Sequence, residues 1–470
     1  MSARAAPLAA PRRERLLPLR AAMSDLDAIV IGGGPAGSTV GALLARAGRR
    51  VRIYDRERFP RFHVGESLLP QSEPLLRRLG VWEQLAAAGF QRKWGAHFTF
   101  EPDGGSNHIT FAGALGRKPP PQAFQVRRAE FDHLLLKNAA AAGAEVCEGV
   151  EVLAVRFDGE RAMGVRVRHA DGREEDVAAR VTFDATGREA LLGGQLKLRE
   201  RDPVLRQAAM FSHYRGARMG LGRDGGDILV VGGPAGWYWM IPLDAETTSV
   251  GVVFPGGVMA ERRGRPLEAL YEELLAASPE VAGRVAQAER VEAVHPLADF
   301  SYRLRRFSGD GWVTVGDAAC FLDPVFSSGV HVALTTGTRA ADDVTAVLAR
   351  KGRLDAGDLR GYERFARRGL DRFRRYILGY YDPAFVGIFA TEPPFEGVRA
   401  AVVSALAGGV FRMTLSQKLL EKLFFMGVER HRKRMARGKL PLAIAPACDA
   451  RRQASATTAT AAPSPAAPER

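Results

Sequence analysis

Asp27–Asp55 reads DAIVIGGGPAGSTVGALLARAGRRVRIYD. A short apolar run, Ala28–Ile31, breaks at Gly32, Gly34 and Gly37, passes into an Ala/Leu-rich helical stretch, and returns as a second strand, Val51–Tyr54, that ends on Asp55. Strand, glycine turn, helix, second strand and a carboxylate at the right remove make up the βαβ dinucleotide-binding fingerprint. Gly32 makes the tight turn, Gly34 lets backbone approach a pyrophosphate, and Gly37 lets helix and strand pack closely. Together with Pro35 and Ala36 they place the free N–H groups of a helix N-terminus at the phosphates. Asp55 accepts a ribose hydroxyl. The fold expected is α/β, built on a Rossmann-like dinucleotide domain.

At 470 residues, 46% hydrophobic and 26% charged, the chain can bury a large core and hold about two or three lobes. The net charge of +14 invites a nucleic-acid reading. Part of it sits on residues 1–23, where five Arg face one Glu in an Ala/Pro/Arg-rich segment without periodicity. That segment reads as a disordered tail or an upstream mis-start, with Met23 just ahead of the first strand. It is not a secretory signal, because no apolar run of about 7–15 residues follows the arginines. No stretch reaches roughly 18 consecutive apolar residues, so no membrane span is expected. The expectation is a soluble, cytoplasmic protein with no nucleic-acid partner. Cys147, Cys320 and Cys448 stand far apart with no C-x-x-C spacing or clustered histidines, which argues against a disulfide framework or a metal site. Cys320 reads as a small buried apolar residue.

Further along, Phe59–Pro70, FPRFHVGESLLP, is punctuated by Pro and Gly and reads as a functional loop that opens into a helix around Pro74–Leu79. Gln91–Phe100 alternates like one strand, Gly104–Pro121 is loop-like, and Gln125–Leu136 shifts to helical spacing. Glu145–Val167 and Val181–Ala185 are expected to complete the dinucleotide sheet, closed by Asp184-Ala-Thr-Gly187. Ala208–Phe300 is strand-rich and reads as a mainly antiparallel lobe. Gly311–Gly316 is another buried strand, and the chain from there to Lys439 is largely helical, with Tyr362, Phe365, Phe373, Tyr376 and Ile377 as inward faces. The expected organisation is a disordered tail (1–24), the first part of an FAD-binding domain (25–207), a β-rich substrate lobe (208–300), the FAD domain's return segment (301–345), a helical region (346–443) and a second disordered tail (444–470). Gly316 and Asp317 end a strand where a carboxylate can accept ribityl hydroxyls, and Arg128 joins the cofactor set; with the fingerprint they point to FAD.

Gly32–Gly37, Trp237–Pro242 (WYWMIP) and Phe321–Gly329 (FLDPVFSSG) together resemble the flavin-dependent halogenases, over roughly Asp25 to Lys439. The W-x-W-x-I-P pattern is that family's hallmark. On a strand, Trp237 and Trp239 point to the same face and form an apolar wall. The resemblance implies that this wall keeps organic substrate away from flavin-bound oxygen, so that halide attacks it instead. It implies further that hypohalous acid is used at Lys93, as a hydrogen-bonded species or on the neutral amine, two readings the residues leave open. Halide falls at Ser327, Ser328 and Gly329, a small-residue turn entering a helix. O2 and chloride or bromide are co-substrates. The resemblance implies that reduced FAD comes from a separate reductase, because no second dinucleotide fingerprint is found and Asp184-Ala-Thr-Gly187 stands where single-component aromatic hydroxylases carry an Asp-Gly motif.

One departure bears on substrate. Tryptophan halogenases carry a glutamate just before this Ser pair, whereas here the residue is Phe326. Without that carboxylate the resemblance implies an electron-rich ring, phenol or pyrrole, free or tethered to an acidic carrier protein. Glu429–Lys439, with six Lys/Arg against one Glu, offers a dock for such a carrier or is a solvated helix face. The competing readings are a flavin hydroxylase or prenyl-lipid reductase of the same superfamily, and a non-catalytic FAD-binding protein.

Overall fold

A computed structural model describes residues 26–102, 105–114, 122–262, 264–298, 301–390, 396–438 and 446. Cys448, the expected tails apart from Pro446, and residues 104 and 115–121 lie outside the described residues; within the stretch expected to be a loop, Ser106–Thr110 forms a strand. The apolar run of the fingerprint becomes strand Leu26–Ile31, buried along nearly its whole length, as a central parallel strand must be. It pairs in parallel with Val51–Asp55 on one side and Glu174–Asp184 on the other; Glu145–Glu148 and Trp312–Thr314 extend the parallel sheet at its two ends. Helix Pro35–Arg46 covers it, packed against helices Arg128–Ala141 and Gly329–Lys351.

Of the strands expected from Glu145–Val167, only Glu145–Glu148 joins the parallel core. Glu151–Asp158 and Arg161–Arg168 instead form an antiparallel hairpin on the first half of Glu174–Asp184. Their residues are largely half-buried, the pattern of strands with one wet face.

The second sheet runs in the order Glu289–Arg290, Gln207–Arg215, Thr247–Pro255, Gly236–Pro242, Ile228–Gly233, Gly95–Phe100, Ser106–Thr110. It is antiparallel except where Ile228–Gly233 meets Gly95–Phe100. Gly236–Pro242 is buried throughout. Trp237, Trp239 and Ile241 pack into the main core shared with the FAD domain, while Tyr238 and Met240 pack into a separate cluster with Leu270, Tyr271 and Leu274 of helix Leu267–Ala276.

The single strand expected over Gln91–Phe100 breaks at Trp94. Gln91–Lys93 pairs with Ala123–Gln125, and Gly95–Phe100 crosses into the second sheet. Asp227 Oδ1 accepts the Trp94 N–H at 2.9 Å and holds the crossover. The C-terminal third is helical: Arg360–Tyr380, Pro383–Phe389, Glu396–Leu406 and Leu415–Ala436. Tyr362, Phe373, Tyr376 and Ile377 are buried as their spacing predicts, and half-buried Phe365 packs on Phe411. Among the described residues no helix is long and apolar enough to cross a membrane.

Candidate active site

A cavity of ≈ 300 Å³ opens where the two sheets meet the N-terminus of the Gly329–Lys351 helix. It is lined by Gly32, Gly34, Pro35, Ala36, Asp55, Arg128, Asp317, Ser327, Ser328, Gly329, Trp237 and Trp239, residues spread over nearly 300 positions of sequence. Gly37, Gly316 and Lys93 stand behind its walls.

The glycines separate into two kinds. A Cβ at Gly32, at φ +100°, would sit 2.5 Å from the Ala185 carbonyl oxygen, and one at Gly37 would run into the Gly32 carbonyl oxygen. Both are demanded by the protein's own packing. A Cβ at Gly34 meets only Arg61 Nη2, at 3.3 Å. Apart from Arg61, the space before Gly34 is open to the cavity.

The remaining residues fit an FAD there. No side chain caps the helix that begins at Pro35, and its first turn has no acidic residue, so its N–H groups stay free for phosphate. Gly33 N–H donates to Asp55 Oδ2 at 2.7 Å, which fixes the carboxylate at the end of its strand. Arg128 is buried and grips Asp132 with two hydrogen bonds of 2.8 Å, which positions its guanidinium on the cavity wall. Arg188 and Arg128 act on Asp317, whose pKa burial nevertheless pushes up to about 6. Gly316, at φ +59°, donates its N–H to Thr336 Oγ1 and brings the Asp317 turn against Ala36 and Ala333.

On the opposite wall the two indoles lie with ring centroids 5.8 Å apart. Each N–H is satisfied inside the protein: Trp237 Nε1 donates to Tyr381 Oη at 2.9 Å and Trp239 Nε1 to Ser249 Oγ at 3.2 Å. Tyr381 in turn donates to Asp323 Oδ2 at 2.6 Å. Buried Asp323 has its pKa raised to about 6 by desolvation, against the hydrogen bonds from Tyr381 and Val325 N. This chain locks the Trp wall to the FLDPVFSSG turn. In that turn Ser327 adopts φ 54°, a strained conformation for a non-glycine residue, and Ser328 is buried at the helix entrance. Phe326 is buried against Phe98 and Tyr380.

Lys93 is 2% exposed. Its Nζ donates to Ser67 Oγ at 2.8 Å and to the Leu68 carbonyl at 3.3 Å, and lies 5.4 Å from the Phe111 ring centroid. Burial lowers its pKa to about 7, with the Asp227 charge partly opposing the shift. Ser67 lines the cavity, so the amine and the cavity share one hydrogen-bonded wall.

Several site residues escaped the sequence reading. Ser67 and Glu66 lie in the loop singled out as functional, but nothing local assigns their side chains. Glu66 Oε1 pairs with His213 Nε2 at 2.7 Å, and its Oε2 is buried with no hydrogen-bond partner. Tyr381 is 144 residues from Trp237 and carries no motif. Arg188 directly follows Asp184-Ala-Thr-Gly187, a turn that the sequence marks without assigning the Arg188 side chain.

Residues 25–368 match the family model of the FAD binding domain, which defines the chain as an FAD-binding flavoprotein. The chain is 32% identical over 425 residues to the 1H-pyrrole-2-carbonyl-[peptidyl-carrier protein] chlorinase of Pseudomonas fluorescens, covering 85% of this chain and 92% of that protein. It is 34% identical over 326 residues to the corresponding brominase of Pseudoalteromonas luteoviolacea, covering 68% and 77%. The structure of the flavin-dependent brominase Bmp2 superimposes with a TM-score of 0.75 at 30% identity, covering 87% of this chain and 99% of that one. The chain belongs to the flavin-dependent halogenases, and the protein is an FAD-dependent oxidoreductase. The hydroxylase, prenyl-lipid reductase and non-catalytic readings give way to this.

Proposed function

We propose that this protein is a cytoplasmic enzyme that installs chloride or bromide on an electron-rich aromatic ring, phenol or pyrrole, using O2, halide and FADH2 from a separate reductase. The ring is carried on an acidic carrier protein. The observation that carries the reading is Lys93: a fully buried amine behind the cofactor cavity with two neutral acceptors, the Leu68 carbonyl and the Oγ of Ser67, which lines that cavity. A lysine confined there without a carboxylate in hydrogen-bond contact costs stability, which a purely structural role does not explain.

In this reading the free N–H groups in the first helical turn after Pro35 and the guanidinium of Arg128 hold the cofactor's phosphates and orient it. The Trp237–Trp239 wall excludes the organic ring from the cofactor side, and the N–H groups of Ser328 and Gly329 hold halide. Lys93 in its charged form donates a hydrogen bond that positions hypohalous acid and draws electrons from its oxygen, making the halogen more electrophilic. Apolar Phe326 supports a ring that needs no carboxylate to stabilise its cationic intermediate.

The test is the Lys93→Ala variant assayed with chemically reduced FAD, O2 and chloride or bromide. FAD binding and reoxidation should persist, and product bearing the halogen isotope pattern should disappear. Near-normal halogenation by the variant would remove Lys93 from the mechanism, and NADPH-driven hydroxylation without halide would remove the halogenase chemistry.

A further inference from the structure

A second cluster of chemistry-bearing side chains lies away from the cofactor cavity. His97 and His108 stand directly opposite each other on the antiparallel strands Gly95–Phe100 and Ser106–Thr110. The pleat puts both rings on one face, stacked with centroids 3.8 Å apart and planes 12° from parallel. Asp227 arrives from the residue before strand Ile228–Gly233, which pairs in parallel with Gly95–Phe100. Its Oδ2 is 3.0 Å from His108 Nε2 and 3.7 Å from His97 Nε2. Three ligand atoms, one from each residue, lie within 4.8 Å of one another. Asp227 is 1% exposed, while both rings are partly exposed, so the cluster can be reached from solvent.

Hydrogen bonding does not account for this arrangement. One imidazole N–H satisfies Asp227 Oδ2 at 3.0 Å; the other nitrogen, at 3.7 Å, is out of hydrogen-bond range. His97 Nε2 is buried and has no hydrogen-bond partner. A cation between the three atoms would satisfy it. The surroundings also make room and give orientation. A Cβ at Gly95 would run into the Ile109 carbonyl oxygen of the paired strand and would also lie 2.9 Å from Asp227 Oδ2 and 3.2 Å from His108 Nε2, so the strand pairing and the cluster both exclude a side chain there. The other carboxylate oxygen, Oδ1, is held by Trp94 N–H at 2.9 Å, the outer hydrogen bond that aims a metal-ligating carboxylate.

We propose that His97, His108 and Asp227 bind one divalent transition-metal ion, completed by water, that clamps the segment ending at Asp227 to the strand continuing from Lys93. Two imidazoles and one carboxylate select Zn²⁺, Co²⁺, Ni²⁺ or Cu²⁺ over Mg²⁺ and Ca²⁺, which favour all-oxygen sites. The proposal is independent of the substrate and of the role of Lys93.

Tag-free, full-length, FAD-loaded protein is stripped with a chelator and titrated with Co²⁺, followed by visible d–d absorption, then challenged with Zn²⁺. A single saturable equivalent of Co²⁺, displaced by Zn²⁺ and raising the Tm, is expected. His108→Ala and His97→Ala should each abolish the saturable band while FAD content stays unchanged. These variants are preferred to Asp227→Asn, because Asp227 also holds the Trp94 crossover. No saturable binding in the stripped protein, an undiminished Co²⁺ band in the double histidine variant, or equal competition by Mg²⁺ would each overturn the site.

Discussion

Lys93 is read as functional because its environment is unfavourable to it. A buried amine whose pKa falls from the ordinary 10.5 to about 7 is paid for by the rest of the fold. The unfolded chain binds the proton up to the higher pKa and the folded chain only up to the lower one. Between these two values the unfolded state therefore holds more protons, and stability rises with pH. Below about pH 7 the full penalty applies, about 4–5 kcal/mol for a shift of this size. Lys93→Met keeps the length of the side chain and removes the charge. Its chemical-denaturation stability should exceed that of the parent by several kcal/mol at pH 6.5, and the margin should shrink as pH approaches 10. The same variant should form no halogenated product. A variant less stable than the parent at pH 6.5 would mean that Ser67 and Leu68 hold the ammonium better than burial penalises it. Nothing in QRKWG distinguishes this lysine from one on a solvated strand edge, because its burial is decided by Ser67, Leu68 and Phe111, which pack around it from other segments.

At the scale of elements, the βαβ unit was legible in full because its chemistry is local: turn, helix N-terminus and carboxylate all fall within Asp27–Asp55. What the strand pattern could not reveal was where Gln91–Phe100 breaks, since the group that holds the break, Asp227, is 133 residues away from Trp94. The same holds for Trp237: its strand and face were readable, its lock through Tyr381 to Asp323 was not. The glycines of the fingerprint now give a separable pair of predictions. Gly34→Val places its side chain in open cavity, so the apoprotein should fold with a Tm within a few degrees of the parent yet fail to retain FAD on purification. Gly37→Ala drives a methyl into the Gly32 carbonyl, so that variant should lose soluble yield or several degrees of Tm even without cofactor. Equal Tm losses in both apoproteins would mean that Gly34, too, is demanded by packing.

At the scale of the whole molecule, the helix Leu415–Ala436 completes the reading. Its inner face is anchored by Phe424 and Val428, and a capping box of Thr414 and Gln417 fixes its start. Its outer face carries Leu415, Leu419, Leu423 and Met426, exposed by 83%, 60%, 47% and 43%. At this spacing they form one stripe along the helix. Exposed Lys418, Lys422, Arg430, Lys433 and Arg434 lie on the same helix. Under the proposed function, an apolar strip flanked by positive charge is the complement of an acidic carrier domain with an apolar patch of its own, and it lies on the helix that carries the start of the basic run beginning at Glu429. Leu419→Glu/Leu423→Glu should leave folding intact, because both side chains are already in solvent. It should lower kcat/KM for a carrier-tethered ring by about 10-fold or more, the loss of roughly 1.4 kcal/mol of encounter energy. Turnover of the same ring as a free acid should not change. In the parent, turnover of the tethered substrate should also fall as salt rises past about 0.15 M, since rim charges act mainly on encounter rate and are screened there. Parent and variant with the same kcat/KM for carrier-bound substrate would place docking elsewhere on the molecule.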